Sequence, residues 1–327
     1  MPTIDIALAS YNGETYISEQ IESILANQID TEGFTLGSII VSDNMSSDKT
    51  VSIVTDIAAR HANVKLYPNE NRGVINNFNH ALAQCTAEYV MLCDQDDIWL
   101  NNKIKLSLQK LLELEKHYGK DCPLLVFTDL HVTDNRLNIT APSFFKAQKL
   151  IPDSYLYPKH IFLANVAPGC TMIMNRRLLE LACPVPAYAA MHDWWLLLVA
   201  STFGQVAHLN QATILYRQHE NNQVGAPSKR YRTMIFSPLS QFQLAGVRLG
   251  YSEKQAKVFL EKFSNVPERC TDALNFMADF RQLSKFDRVY GLLKHKIEHR
   301  TKIKKAILYL LALTLPRTQP GKQNCPE

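Results

Sequence analysis

Five short apolar runs, separated by stretches of helical period, leave this chain few folds to choose from. The runs are Ile4–Ala9, Ser38–Ser42, Val64–Tyr67, Tyr89–Cys93 and Leu124–Thr128. Between the first two, Glu14–Asn27 places Ile17, Ile21, Ile24 and Leu25 on one helical face. A second helix is predicted over Thr50–Arg60, behind the cap-type residues Ser46, Ser47 and Asp48. A third follows over Val74–Gln84, where Asn71-Arg72-Gly73 breaks the chain. Short strands alternating with helices of this length build βαβ units, so the expectation is an α/β fold with a mostly parallel, Rossmann-like sheet flanked by helices. At 327 residues the chain fits one such domain with additions.

In parallel sheets ligands bind beyond the carboxyl ends of the strands. Ser10 and Tyr11, Asp43, Asn71 and Arg72, and Asp94–Asp97 all fall there. The last cluster, Asp94-Gln95-Asp96-Asp97, sets three carboxylates in four residues at the end of an apolar strand. Unless a cation sits among them they repel, and hard oxygen ligands suit Mg²⁺ or Mn²⁺ carrying a diphosphate. The competing reading is a solvated acidic turn that caps a helix from Trp99, with Asp96 or Asp97 as the N-cap.

Further along, residues 130–170 hold Pro142, Pro152, Pro158 and Pro168, an irregular segment expected over a substrate groove. Strands are predicted at Thr171–Asn175 and Gln205–Arg217, around a helix over Asp193–Phe203. After Pro227 the chain becomes helical and basic. The net charge of +4 is unevenly spread: residues 1–227 hold 16 Lys/Arg and 23 Asp/Glu, whereas residues 228–327 hold 19 and 8. That asymmetry points to a polyanionic neighbour, phospholipid or nucleic acid. No recognised nucleic-acid motif accompanies the charge, so no nucleic-acid partner is expected. Seven scattered cysteines without a CxxC pair read as reduced core thiols. Met1–Ile6 reads as a first strand rather than a leader, which predicts a cytoplasmic catalytic part.

Taken in order, Ala7-Leu-Ala-Ser-Tyr-Asn-Gly13, Ile39-Ile-Val-Ser-Asp43, Asp94-Gln-Asp-Asp97 and His192-Asp-Trp-Trp195 resemble the motifs of a family 2 glycosyltransferase with the GT-A fold. The chain is most similar to bacterial rhamnosyltransferase-type enzymes of surface-polysaccharide synthesis, over roughly residues 3–225. This resemblance implies a nucleotide-sugar site with Asp43 at the nucleobase, Ala9 and Tyr11 lining its pocket, and Arg72 and Asn76 near the diphosphate. It implies that Asp94 and Asp96 form the metal-binding DxD motif for Mg²⁺ or Mn²⁺, Asp94 also facing the donor, with His219 as a third ligand or a diphosphate contact. Asp193 would be the base of an inverting transfer, although a carboxylate opening a helix is also explained by capping alone. Gly169, Cys170, Thr171, His192, Trp194 and Trp195 would line the acceptor site, one of the two tryptophans being core. Arg217 and Gln218 would close the site beside His219.

The implied reaction moves a sugar, rhamnose from dTDP-rhamnose, to a polyprenyl-diphosphate-linked or growing glycan. The alternatives are a UDP-hexose donor or a non-catalytic nucleotide-binding scaffold. Residues 1–227 would form the transferase domain, with the nucleotide-sugar half over about 1–130 and the acceptor half over about 131–227. Residues 228–327 would be a basic helical extension. Within it Ala306–Leu315 is about ten apolar residues behind a lysine-rich approach, too short to span a bilayer of roughly 30 Å. It fits either a helix lying on an anionic membrane surface, peripheral to the inner face of the cell membrane, or a helix packed on the body. One departure from the family pattern stands out: Asn44-Met45 occupies the place where relatives carry Asp-Gly.

Overall fold

The computed structural model describes residues 2–27, 34–150, 158–219, 238–299 and 301–318. Strand β1 (Thr3–Ser10) lies inside the sheet, and every residue from Ile4 to Leu8 is buried. One of those is Asp5, whose carboxylate accepts the backbone N–H groups of Ser38, Thr86 and Ala87 and so ties the entries of two neighbouring strands together. A Cβ at Gly37 would stand 2.4 Å from that carboxylate, which is why the approach needs glycine.

Parallel to β1 run β2 (Thr35–Asp43) and β4 (Tyr89–Asp94), with β3 (Val64–Pro68) outside β2. Helices α1 (Ile17–Leu25), α2 (Thr50–Arg60) and α3 (Val74–Gln84) connect them and bury Ile17, Ile21, Ile24, Val54, Ile57 and Phe78. These elements match the expected βαβ series closely. The second half of the sheet is mixed. β8 (Met172–Asn175) pairs antiparallel with both β4 and β6 (Leu124–Thr133), while β9 (Gln205–Arg217) runs parallel to β6. A short strand β7 (Ile139–Ala141) pairs with β6. The strand order is β3-β2-β1-β4-β8-β6-β9-β5, the last being the short strand Ile98–Trp99.

The helix expected from Trp99 starts later, as α4 (Lys103–Tyr118). Instead Ile98–Trp99 forms a two-residue strand, β5, antiparallel to β9, and Trp99 is buried. Asp96 and Asp97 therefore do not cap a helix. The next helices along the chain are α5 (Phe144–Gln148), α6 (Pro158–Ile161), α7 (Arg176–Ala182) and α8 (His192–Phe203). Residues 151–157 of the proline-bearing segment lie outside the described residues.

The chain divides into two compact units. One comprises residues 1–156, 166–187 and 191–226; the other, residues 157–165, 188–190 and 227–327. The expected domain boundary at 227/228 falls among residues 220–237, outside the described set. The second unit contains α9 (Pro238–Lys262), α10 (Glu268–Ala278), α11 (Lys285–Lys294) and α12 (Lys302–Thr314). In α12 the apolar run is divided: Leu308, Leu311 and Ala312 are buried, and Leu310 and Leu313 are exposed. No described helix is long and apolar enough to cross a membrane. The buried thiols Cys85, Cys93, Cys170 and Cys270 are not in disulfides.

Candidate active site

Because β1, β2 and β4 are parallel and in register, their ends meet on one rim: Ser10 pairs with Asp43 and Ala9 with Asp94. The Asp43 carboxylate is buried. It accepts the hydroxyls of Ser10 (2.9 Å) and Ser46 (2.6 Å) and the Ser46 N–H (2.9 Å). Asn44 sits beside it and reaches the other way. Its Nδ2 donates to the carbonyls of Asn69 (3.0 Å) and Asn71 (2.9 Å), and its Oδ1 accepts the Gly73 N–H (3.0 Å). That brace holds the turn bearing Arg72 against β2. A carboxylate could not donate either bond, so the departure at position 44 has a structural reason. Arg72, Asn76 and Tyr11 are exposed on the rim, and Asn76 Nδ2 donates to the Arg72 carbonyl (2.8 Å).

Gln95, passed over in the sequence, clamps two strand ends together. Its Oε1 accepts the Tyr11 N–H (2.8 Å) and its Nε2 donates to the Tyr11 carbonyl (3.0 Å). Gly13 makes room for it: a Cβ there would lie 2.4 Å from Gln95 Oε1. The clamp sets the acidic turn beside the β1 exit. Asp94 is half-buried, and its carboxyl is pushed up to about 7 by burial, then by the neighbouring Asp96 and Asp193. Asp96 Oδ2 lies 2.8 Å from His219 Nε2. His219 stacks on Tyr16 at 5.1 Å between centroids.

The fourth acid, Asp97, is fully buried and faces inward. Its Oδ1 accepts the Arg217 N–H (3.2 Å) at the end of β9. Arg217 then fans across the site, donating to the Asp96 carbonyl (3.1 Å) and the Asn135 carbonyl (2.9 Å) and pairing with Glu19 (2.6 Å). Its guanidinium lies 4.5 Å over the Tyr16 ring. Asp97 therefore holds the strand whose end carries His219. Beneath it Lys103 is fully buried with its Nζ 4.7 Å over the Trp99 ring, its pKa brought down to about 8 by burial.

The chemistry of the donor set fits a divalent cation. Three carboxylates and a histidine meet on one rim, and the Asp94 carboxyl is raised to about 7 by burial first and then by Asp96 and Asp193, charges that a cation there would offset. A second group of potential ligands, Asp94, Asp97 and Cys170, brings its atoms within 4.8 Å of one another. Two of those three are enclosed beside the Lys103 ammonium, whose charge acts on Cys170. The half-buried edge, Asp94 and Asp96 with His219, is the better place for an ion that must also meet a ligand from solvent.

Opposite the acidic turn, α8 opens with Asp193, half-buried in an otherwise apolar helix. Its Oδ2 accepts the Gly169 N–H (3.1 Å) and its Oδ1 the Trp194 N–H (2.6 Å). A Cβ on Gly169 would press on His192 Nε2 at 2.9 Å and on Asp193 Cβ at 3.3 Å. The residues expected to line the acceptor site are enclosed here. Gly169, Cys170, Thr171, His192, Trp194 and Trp195 are all buried. Trp195 is in the core with Nε1 donating to the Ala182 carbonyl, and Thr171 Oγ1 donates to the Pro168 carbonyl. His192 stacks on Phe78 at 3.8 Å, and burial drives its pKa down to about 3, so it is neutral. Around the Asp193 carboxylate, the Gly169 and Trp194 N–H groups and the His192 ring pack closely.

The family model described as Glycosyl transferase family 2 matches residues 5–180. The dTDP-rhamnosyl transferase RfbG of Shigella flexneri is 31% identical over 238 residues, 67% of this chain and 74% of that protein. A GalNAc(5)-diNAcBac-PP-undecaprenol beta-1,3-glucosyltransferase of Campylobacter jejuni is 26% identical over 182 residues, 55% of this chain and 54% of that protein. Among solved structures, a mannosyltransferase from Pyrobaculum calidifontis in complex with GDP-Man and Mn²⁺ matches at a TM-score of 0.53 and 15% identity, covering 95% of this chain and 79% of that one. At that identity the likeness concerns the fold.

Proposed function

The chain belongs to glycosyl transferase family 2 and is a glycosyltransferase of GT-A fold, and from that premise we propose that it moves rhamnose from dTDP-rhamnose to a polyprenyl-diphosphate-linked glycan with inversion. The observation that carries this reading is the meeting of Asp94, Asp96 and Asp193 on one rim, close enough for Asp193 and Asp96 to raise the Asp94 carboxyl. The donor and acceptor follow the names of the S. flexneri and C. jejuni relatives.

Ala9, Tyr11 and Asp43 receive the nucleobase, with Asp43 fixed by Ser10 and Ser46. Arg72, on the turn braced by Asn44, meets the diphosphate, and Asn76 steadies that turn through the Arg72 carbonyl. Asp94, Asp96 and His219 would hold Mg²⁺ or Mn²⁺, which when bound offsets the charge on the departing nucleoside diphosphate. Asp193 takes the proton of the acceptor hydroxyl as its oxygen attacks the anomeric carbon from the face opposite the leaving group. The N–H groups of Gly169 and Trp194 aim that carboxylate. His192, neutral and enclosed, is not a competing base.

Residues 1–227 carry the transfer, donor contacts lying within 1–130 and the base within 131–227; residues 228–327 form the basic helical part. A cytoplasmic enzyme peripheral to the inner face of the membrane suits a lipid-linked acceptor. Thermal shift with nucleoside diphosphates and nucleotide-sugars, each with and without Mn²⁺, tests the reading. Stabilisation by dTDP-rhamnose plus metal, lost in Asp96→Ala, is expected; at about 100 times its dissociation constant a ligand adds roughly 2.7 kcal/mol. A response to UDP-hexoses alone would keep the mechanism and replace the sugar. Nucleotide binding without turnover on any donor would favour the scaffold reading.

A further inference from the structure

We propose that α11 is the element that docks this protein on an anionic lipid surface, through the stripe Phe286, Tyr290 and Leu293. The orientation of this helix is fixed from inside. Ser284 accepts the Asp287 N–H (3.2 Å) and donates to its carboxylate (2.6 Å), which sets the helix start. Arg288 is buried and donates to the carbonyls of Phe280 (2.9 Å), Arg281 (2.8 Å) and Leu315 (2.7 Å). Gly291 lies so close to α10 that a Cβ would stand 2.0 Å from the Phe276 ring, and Leu292 is buried. With Arg288, Gly291 and Leu292 facing in, helical geometry turns residues 286, 290 and 293 outward within an arc of about 60°.

Those three side chains are 72%, 67% and 59% exposed. Two aromatics and a leucine in line on a locked helix are costly to leave in water and mark a contact surface. What surrounds them selects the contact. Lys285 Nζ lies 5.2 Å over the Phe286 ring, and Lys294 and Lys296 follow the stripe. From residue 285 to 305 the chain carries eight Lys/Arg against two Asp/Glu. A second copy meeting this face symmetrically would set basic flank on basic flank. Anionic headgroups instead complement the lysines while the rings and leucine enter the acyl boundary, the arrangement of a helix lying in the interface plane. The inference deepens the reading of a lipid-linked acceptor and relocates the contact, since α12 spends Leu308, Leu311 and Ala312 on packing.

Co-sedimentation of the full chain with vesicles tests it, comparing phosphatidylcholine alone with phosphatidylcholine plus phosphatidylglycerol. The wild type should bind the anionic vesicles and detach as salt rises. Phe286→Ser/Tyr290→Ser/Leu293→Ser should weaken binding by about ten-fold or more, and Lys285→Gln/Lys294→Gln/Lys296→Gln should flatten the salt dependence. An unchanged melting temperature checks that each variant is folded. No binding by the wild type, or equal binding by the serine variant, overturns the proposal. So does a wild-type dimer in sedimentation that the serine variant abolishes while neither binds vesicles. Metal-dependent donor hydrolysis in free solution should survive in the serine variant, so failure of the docking surface and failure of the transferase reading give different results.

Discussion

The two sides of the rim use their motif residues in opposite ways. On the donor side Tyr11, Arg72 and Asn76 stand in solvent and Asp94 is half open, each carried past the end of a strand. On the acceptor side Gly169, Cys170, Thr171, His192, Trp194 and Trp195 are enclosed, and only Asp193 among the expected residues there reaches outward. Sheet direction explains the difference. β1, β2 and β4 all finish on this rim, so their last side chains are delivered to its open edge. β8 runs against β4, so the segment entering it, Gly169–Thr171, reaches the same rim from the other direction and is packed beneath α8. Under the proposed function, a motif on the donor side would therefore meet its ligand directly, whereas on the acceptor side it would aim a single carboxylate.

The largest effect that would break this contrast belongs to Asp193. Asp193→Asn keeps the shape but only one of the two acceptor bonds from the Gly169 and Trp194 N–H groups, and it cannot take a proton, so turnover should fall about 10²–10⁴-fold. Donor binding, read as thermal stabilisation by nucleotide plus Mn²⁺, should stay as in the wild type. A parallel loss of donor binding would mean that the two sides are not separable. Next comes Asp97, whose carboxylate is enclosed and anchors the Arg217 N–H. Asp97→Ala removes that buried acceptor and should cost about 1–3 kcal/mol in denaturant unfolding. Asp97→Asn, which can still accept, should cost less, and equal losses in both would place the effect in the charge rather than the bond.

Much of this was legible before any coordinates. Strand ends announce themselves as apolar runs that stop at polar residues, so Asp43, Arg72 and Asp94–Asp97 could be placed on one rim from alternation alone. What could not be read was which way each side chain turns. Gln95 looks like the spacer of its motif, yet it binds both backbone groups of Tyr11; the signal was Gly13, a glycine kept where an amide needs room. Which of Trp194 and Trp195 is core could not be read, because periodicity does not separate a helix half in solvent from α8, which is buried nearly all round. Asp97 looked like a helix cap because two residues of β5, which pairs antiparallel with β9 more than a hundred positions away, carry no strand signal of their own.

The donor side should also respond to pH in a way that the acceptor side does not. The Asp94 carboxyl titrates at about 7 in the fold against 3.8 ordinarily. Between those values the folded state binds more protons than the unfolded chain, so stability of the metal-free protein should fall as pH rises through that window and level off above it. Cation binding needs the ionised group, so the stabilisation by saturating Mn²⁺ should grow over the same range. From about pH 6 to about pH 8 the added melting temperature should rise by roughly 2–4 °C, the scale of about 1 kcal/mol in a domain of this class. The same titration in Asp94→Asn should be flat. A metal effect independent of pH would move the ion away from Asp94.

The smallest effect asks whether the donor loop is held by side chains or by backbone conformation. Met45 has φ of +62°, in the left-handed region, at the place where the family pattern leads us to expect glycine. That conformation costs a side-chain-bearing residue about 1–2 kcal/mol. The side chain is 55% exposed, so little burial offsets the strain. Its neighbours supply the hold: Asn44 bonds three backbone groups of the next turn, and Ser46 bonds Asp43 twice. Met45→Gly should therefore relieve the strain at the expense of greater freedom in the unfolded chain, a term of about 0.5–1 kcal/mol. The net expectation is a gain of about 0.5–1 kcal/mol, seen as a higher denaturant midpoint at unchanged slope, with the KM for donor unaltered. A loss of stability, or a rise in that KM, would show that the methionine itself shapes the nucleotide pocket, and the donor side would then resemble the acceptor side more than the rim geometry implies.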